Sequence, residues 1–281
     1  MRNLSRGRLI VGAGVVLAAS IGRAQVGRDR FDIRQVELPI AGVDPAHDGL
    51  RIIQLSDFHI GFATPDSRIV AAVRAVNALK PDLVVLTGDY VTWSKRPTKR
   101  VGRLLAGIAP PVIAILGNHD HWVDASRVRA DLEADGYTVL QNESRPISIN
   151  GAPVWVIGID DAYTGHEDLQ TAFAGVPKRG TRIALAHMPT TADRLPENAN
   201  LVVLSGHTHG GQLRVPGLTD KIASAVGQPY VRGLYWVRGN ALYVNPGLGF
   251  GRGGPALRIR NPPEVTVITL RPKTPPSAPG L

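Results

Sequence analysis

Residues 51–90 read RIIQLSDFHIGFATPDSRIVAAVRAVNALKPDLVVLTGDY. The runs Arg51–Leu55 and Leu83–Leu86 are short, rich in Ile, Val and Leu and bounded by polar residues, as buried strands are. Between them Ile69, Val70, Val73, Val76 and Leu79 recur at helical spacing across Asp66–Leu79, and Lys80-Pro81 stops the pattern. Strand, helix and strand in that order make a βαβ unit with parallel strands.

The same alternation continues downstream. Strand-like runs recur at Val112–Leu116, Val154–Ile159, Ile183–Ala186 and Leu201–Leu204. A helix is expected over Ala125–Asp135, closed by Gly136, and a shorter one over Glu167–Phe173. After residue 210, Tyr235–Arg238, Ala241–Val244 and Glu264–Leu270 suggest antiparallel strands, with Gly239-Asn240 as a hairpin turn. Alternating β and α with a β-rich end places the chain in the α/β class, as a layered sandwich of mixed sheets.

Polar clusters stand just past the carboxyl ends of five of these strands. They are Ser56-Asp57-Phe58-His59, Gly88-Asp89-Tyr90, Gly117-Asn118-His119-Asp120, His187, and Gly206-His207-Thr208-His209-Gly210-Gly211. Open α/β sheets bind ligands outside those strand ends, so the placement alone brings the clusters together. Asp57, His59, Asp89, Asn118, His187, His207 and His209 are all of ligand type for divalent metals. Two metals bridged by one carboxylate use about this many protein ligands, and Asp89 is the natural bridge. In Asp-x-His and His-x-His, the spacing of two aims both side chains the same way from an extended segment.

Composition narrows the chemistry. The chain has 281 residues, 43% hydrophobic and 20% charged, which fits a globular domain with a sizeable core and excludes collagen-like, coiled-coil and mainly disordered classes. It has no cysteine, so disulfides, thiolate metal sites and cysteine nucleophiles are excluded. Residues 1–30 hold six arginines against one aspartate, which is +5 of the net +9. The body of the chain is therefore mildly basic, and it carries no basic stripe with interleaved aromatics, so nucleic acid is not expected as a partner.

Asp57-x-His59, Gly88-Asp89, Gly117-Asn118-His119-Asp120, His187 and Gly206-His207-Thr208-His209 together resemble, in order, the signature of the calcineurin-like metallophosphoesterases. The resemblance spans roughly Ile52 to Leu270. It implies a four-layer α/β/β/α sandwich, two mixed sheets flanked by helices, and a binuclear site hydrolysing phosphate esters or anhydrides. By that pattern Asp57, His59, Asp89 and His209 hold the first divalent ion, and Asp89, Asn118, His187 and His207 the second. Mn, Fe and Zn are the candidate metals. The resemblance makes His119 a non-ligand histidine that protonates the leaving group or stabilises the transferring phosphoryl, with Asp120 orienting it; a loop-closing Asx turn is the lesser alternative for Asp120.

Gly206–Gln212, Asn245–Gly249 and Arg258 with Pro263-Glu264 resemble a bacterial membrane-associated subgroup that includes enzymes cleaving the pyrophosphate of UDP-2,3-diacylglucosamine. The subgroup's usual Ser-Arg-Gly is here Asn245-Pro246-Gly247, so Arg252 and Arg258 are the candidates for the missing substrate contact. A phosphorylated small-molecule or lipid-linked substrate and a membrane surface are the implied partners. A broad extracytoplasmic phosphodiesterase or phosphatase is the alternative, and a metal-binding scaffold without turnover a further one, although no ligand position is lost.

Met1–Ala24 reads as a signal peptide or an uncleaved signal anchor: Arg2, Arg6 and Arg8 precede thirteen mostly apolar residues, Leu9–Ile21, too few for an ordinary span. The phosphoesterase domain is expected over 32–270 and a solvated, disordered Pro-rich tail over 271–281. The segment Val91–Arg103, with Trp93, Lys95, Arg96, Lys99 and Arg100, reads either as a basic loop for an anionic head group or as a solvated connection. Tyr230, Tyr235 and Trp236 read as strand core. His47, His121 and His166 read as structural, and Asp160 and Asp161 as supports behind the site.

Overall fold

The computed structural model describes residues 22–24, 30–96, 98–215, 217–251 and 257–273. Two sheets form its centre. The first has seven strands in the order β1 (Gly22–Ala24), β2 (Phe31–Ile40), β13 (Glu264–Pro272), β3 (Arg51–Leu55), β4 (Leu83–Thr87), β5 (Val112–Ile115) and β6 (Thr138–Val139). The second has six, in the order β11 (Gly233–Val237), β12 (Asn240–Val244), β10 (Val202–Ser205), β9 (Arg182–Ala186), β8 (Ala152–Ile159) and β7 (Glu143–Ile149).

Period-two alternation assigns the layers. Ile52, Leu83 and Val85 point into a core shared with Val156, Ile183 and Leu204 of the second sheet. Ile53, Leu55, Val84 and Leu86 point the other way, onto α1 (Asp66–Leu79), α2 (Thr98–Leu105) and α4 (Ala125–Ala134). On the far face of the second sheet Ile157, Ala184 and Val203 pack with Ala172 of α5 (Leu169–Ala172) and Ala192. Strands buried on both faces read as unbroken apolar runs, and each fully buried Ile, Leu or Val contributes about 1.5–3 kcal/mol. The outcome is the expected α/β/β/α sandwich.

β3, β4 and β5 run parallel, as do β8, β9, β10 and β12, so their carboxyl ends gather along one edge. The two sheets are tied at that edge by polar bonds. Gln54 Nε2 donates to the Ser205 carbonyl at 2.9 Å, and the His207 N–H donates to Asp57 Oδ1 at 3.1 Å.

Four expectations need adjustment. The last strand, β13, lies inside the first sheet, antiparallel to β3 but parallel to β2, rather than in an antiparallel group with β11 and β12. The segment after Asp89 is not all loop, because Thr98–Leu105 is helical with Val101, Leu104 and Leu105 buried. Lys95 pairs with Asp124 and Arg100 with Asp66, so two of that segment's cations are already engaged. Trp236 is 55% exposed, not core, whereas Tyr235 packs against the second sheet. Nearly all of the N-terminal leader, and the Pro-rich tail from residue 274, lie outside the described residues.

Candidate metal centre

Each site residue sits where a strand hands over to a turn. Beyond β3 the ladder persists through Asp57 N–H to the Gly88 carbonyl (3.0 Å) and His59 N–H to the Asp89 carbonyl (3.1 Å). Asp57, His59, Asp89, His207 and His209 all have left-handed φ, between 48° and 71°. Non-glycine residues in that region are uncommon, and five together at one edge mark stored strain of the kind held at functional sites. Glycine is required at Gly206, where a Cβ would strike Ser56 Oγ and Asp57 Oδ2.

The side chains converge. Asp57, His59 and His209 present ligand atoms within 4.8 Å of one another, as do Asp57, Asp89 and His187, and also His59, Asp89 and His119. Asn118 Oδ1 lies 2.9 Å from His207 Nδ1. His187 Nδ1 is 2.7 Å from the Thr87 carbonyl, which can only accept, so Nδ1 carries a proton and Nε2 is the nitrogen that faces inward. That Nε2 is buried, has no hydrogen-bond partner, and stands 3.2 Å from Asp89 Oδ2. His59 Nε2 and His209 Nε2 face each other at 2.9 Å, beside the Asp57 and Asp89 carboxylates. Lone pairs opposed in a buried space are the donor set a cation completes, so these residues fit divalent metals.

Electrostatics favour the ligating form at three of the histidines and at Asp89, and the protonated form at Asp57 and His187 until an ion displaces the proton. Burial pushes His59 and His207 down to about 3 and His209 well below its ordinary value, holding all three neutral as ligation requires. Burial pushes Asp57 up to about 6, with His187 opposing and Asp89 adding to the rise. For Asp89 burial also opposes charge, but His187 and His59 outweigh it and hold the carboxyl below the usual carboxylate range. His187 is the reciprocal case, raised well above the ordinary histidine value by Asp89 and Asp57 despite burial.

His119 lines the rim rather than the floor. Its Nδ1 is 2.8 Å from the Thr92 carbonyl, so Nδ1 carries a proton and Nε2 is the nitrogen left for exchange. Asp120 does not touch that ring. Its carboxylate accepts from the N–H groups of Asp89, Tyr90, Val91 and Gly117 at 2.9–3.2 Å, clamping the turn that carries Asp89. Thr92 therefore takes the orienting position expected of Asp120, and the loop-closing reading of Asp120 matches the geometry.

Arg258 also lies elsewhere than a substrate contact would need. Its Nε donates to the Gly249 carbonyl and its Nη2 to the Pro246 carbonyl, 3.3 Å from His209 Nδ1, and burial pushes it down to about 9. It braces the loop behind His209. Arg252 lies outside the described residues. Asp160 holds His121 at 2.7 Å, and His121 stacks on His166 with ring centroids 4.1 Å apart, beside the site and not in it. His47 is buried against Thr181 and the Ile149 carbonyl, a structural role as expected.

A cleft of about 510 Å³ opens above the ligands, lined by Asp89, His119, His207, His209, Trp93 and Trp122 among others. Trp122 and Tyr163 were not singled out in the sequence. Trp93 and Trp122 lie parallel with ring centroids 6.2 Å apart, both pack edge-on to His119, and Tyr163 links Trp122 to His207. The available signal was position, since Trp122 follows His119 by three residues on the short helix α3 (Asn118–Val123) and so shares its face.

Residues 50–211 match the family model described as calcineurin-like phosphoesterase. The chain belongs to that family. The metallophosphoesterase YkuE of Bacillus subtilis is 31% identical over 278 residues, covering 95% of this chain and 93% of the relative. The UDP-2,3-diacylglucosamine pyrophosphatase LpxG of Chlamydia trachomatis is 27% identical over 279 residues, covering 78% and 83%. Phosphodiesterase YaeI of Escherichia coli is 31% identical over 227 residues, covering 78% and 82%. This phosphoesterase is thus a metal-dependent hydrolase of phosphate esters whose family uses two divalent ions.

Proposed function

We propose that the chain cleaves a phosphodiester or pyrophosphate bond with one divalent ion held by Asp57, His59, Asp89 and His209 and a second by Asp89, Asn118, His187 and His207. The observation that carries the reading is the convergence of buried, mutually facing ligand atoms around Asp89. When bound, such a pair supplies Lewis acidity to phosphoryl oxygens and makes water a competent nucleophile near neutral pH. His119, oriented through Nδ1 by Thr92, holds its exchangeable proton at Nε2 for the leaving oxygen. Asp120 keeps Asp89 in place through the backbone. Trp93 and Trp122 wall the cleft beside His119.

For substrate, we place the chain with enzymes of lipid-linked nucleotide-sugar pyrophosphates, UDP-2,3-diacylglucosamine or a chemical relative. The similarity to LpxG and the Gly206–Gln212 segment support this, and Arg252, next to cleft-lining Gly251 in sequence, is the candidate contact for the substrate's anion. Met1–Ala24 tethers or exports the domain, and the chain works at a membrane; protease accessibility in spheroplasts decides the side. The similarity to phosphodiesterase YaeI supports a broader soluble-diester activity as the second reading. The test compares UDP-2,3-diacylglucosamine with bis-p-nitrophenyl phosphate before and after chelation. Loss of both activities on chelation, return with Mn²⁺, and the higher kcat/KM on the lipid substrate are expected. Turnover that survives complete demetallation overturns the two-metal reading.

A further inference from the structure

Helix α6 (Leu218–Ala225) has no buried residue. Leu218, Ile222 and Val226 recur every four positions, and the Val226 N–H still donates to the Ile222 carbonyl at 3.1 Å, so the three share one helical face. They are 52, 56 and 70% exposed. Two more segments add to the surface. Leu213 and Val215 lead into the helix, and Leu213 bridges to Ile259, with Leu257 two residues before it. Seven of the thirteen large exposed hydrophobic residues among the described residues belong to these three segments. Thr219 Oγ1 donates to the Leu213 carbonyl and accepts from the Val215 N–H, which fixes the helix to the bridge.

Charge borders this apolar face. A second cavity, of about 390 Å³, is lined by Arg34, Arg214, Arg232 and Arg260 against Asp32 and Glu264. Arg214 and Arg260 each follow a bridge residue in sequence and line this cavity, while Leu213 and Ile259 themselves are exposed, so cations border the apolar residues of the bridge. Arg232 pairs with Glu264 and Arg214 with Asp220, whereas Arg34 and Arg260 have no ion-pair partner among the described residues. Leu213 and Gly211 also line the metal cleft, and Val226 lines a smaller cavity shared with His207. The apolar face therefore begins at the mouth of the site.

An apolar helix face without a partner among the described residues, edged by cations and opening on the cleft, is complementary to an anionic lipid surface. We infer that α6 with the 213–215 and 257–260 segments lies in the interface of an anionic bilayer, apolar side chains among the acyl chains and Arg34 and Arg260 on lipid phosphates. The inference deepens the reading of a lipid-linked substrate and rests on it. It gives the catalytic domain its own membrane contact, separate from Met1–Ala24, which presents the cleft mouth to a substrate held in the bilayer.

Because the chain has no cysteine, Ile222→Cys in the full chain carries a single nitrobenzoxadiazole label, and Val70→Cys on α1 carries the control. On phosphatidylcholine vesicles containing phosphatidylglycerol, the label at 222 is expected to shift blue and brighten while that at 70 does not. Arg34→Gln and Arg260→Gln should each weaken the response about fivefold in lipid concentration. A label at 222 that reports water on vesicle-bound protein overturns the proposal. So does one that turns blue without lipid as protein concentration rises, which gives the face to a second copy. All four variants should hydrolyse bis-p-nitrophenyl phosphate in solution at the wild-type rate; absence of that activity in the wild type strikes the catalytic reading and leaves the label result standing.

Discussion

The Asp120 carboxylate and the His119 ring are chain neighbours with separate partners, and their variants should separate too. In Asp120→Asn an amide NH₂ replaces one acceptor oxygen, at about 1–3 kcal/mol for each buried N–H left unpaired. Urea unfolding should register that loss, and metal affinity should fall with it as the Asp89 turn loosens. His119→Asn should instead keep near wild-type metal content while kcat falls by about 10²–10⁴. If His119 is the proton donor, its defect shrinks for p-nitrophenol leaving groups, whereas the Asp120→Asn defect is the same for all of them. Metal loss in His119→Asn would make it a ligand, which its 4.8 Å grouping with His59 and Asp89 makes a pointed test. Asp89→Ala removes the carboxylate shared by both ligand groups, so metal analysis should find both ions depleted; retention of two refutes the assignment.

At the level of elements, the turns between strand and ligand are the sensitive parts. Gly206→Ala places a methyl against Ser56 and Asp57, where the two sheets meet, and overpacking of that kind costs about 1–3 kcal/mol. Reduced thermal stability and weakened metal binding are expected together, since Asp57 must move. Central strands were legible in the sequence because burial on both faces leaves β3, β4, β5, β9 and β10 as unbroken apolar runs. The residues that converge on the candidate metal centre were legible because each follows such a run closely. β2 was not, since Asp32, Arg34, Gln35 and Glu37 interrupt its pattern while Val36, Leu38 and Ile40 still reach the core. β7 is an edge strand, paired among the described residues with β8 alone, so its polar residues and Pro146 are tolerated and conceal it. The partners of Asp120 and Arg258 were illegible for another reason: each is chosen by how loops close in space, and residue type alone does not encode that.

Across the whole molecule, burying so many ionisable groups at one edge ties stability to pH and metal. Take the metal-free protein. Asp57 has its folded pKa raised from 3.8 to about 6 by burial, so it contributes stability below pH 4 that is lost as pH rises through 6. The gap corresponds to about 3 kcal/mol as an order of magnitude. His187 has the same sign, its folded value being raised, so its contribution is present below its unfolded pKa of 6.5 and is lost at still higher pH. Asp89 runs opposite, its depressed value giving stability above pH 4 that is lost only on stronger acidification. His59 and His207, lowered to about 3, and His209, lowered well below its ordinary value, run the same way as Asp89, because below pH 6.5 the unfolded chain protonates them and the folded chain does not. Up to pH 6.5 these three outweigh Asp57, and above it the loss at His187 remains, so the chelated protein should become less stable as pH rises from 6.5 to 8. A divalent ion reverses this by binding the ionised Asp57 and the neutral Nε2 of His187, so added Mn²⁺ should raise Tm little at pH 4.5 and markedly at pH 7.5. Tm profiles of chelated and Mn²⁺-loaded protein that diverge above pH 6 are the expected outcome, and parallel profiles would show that the buried cluster does not bind the ion.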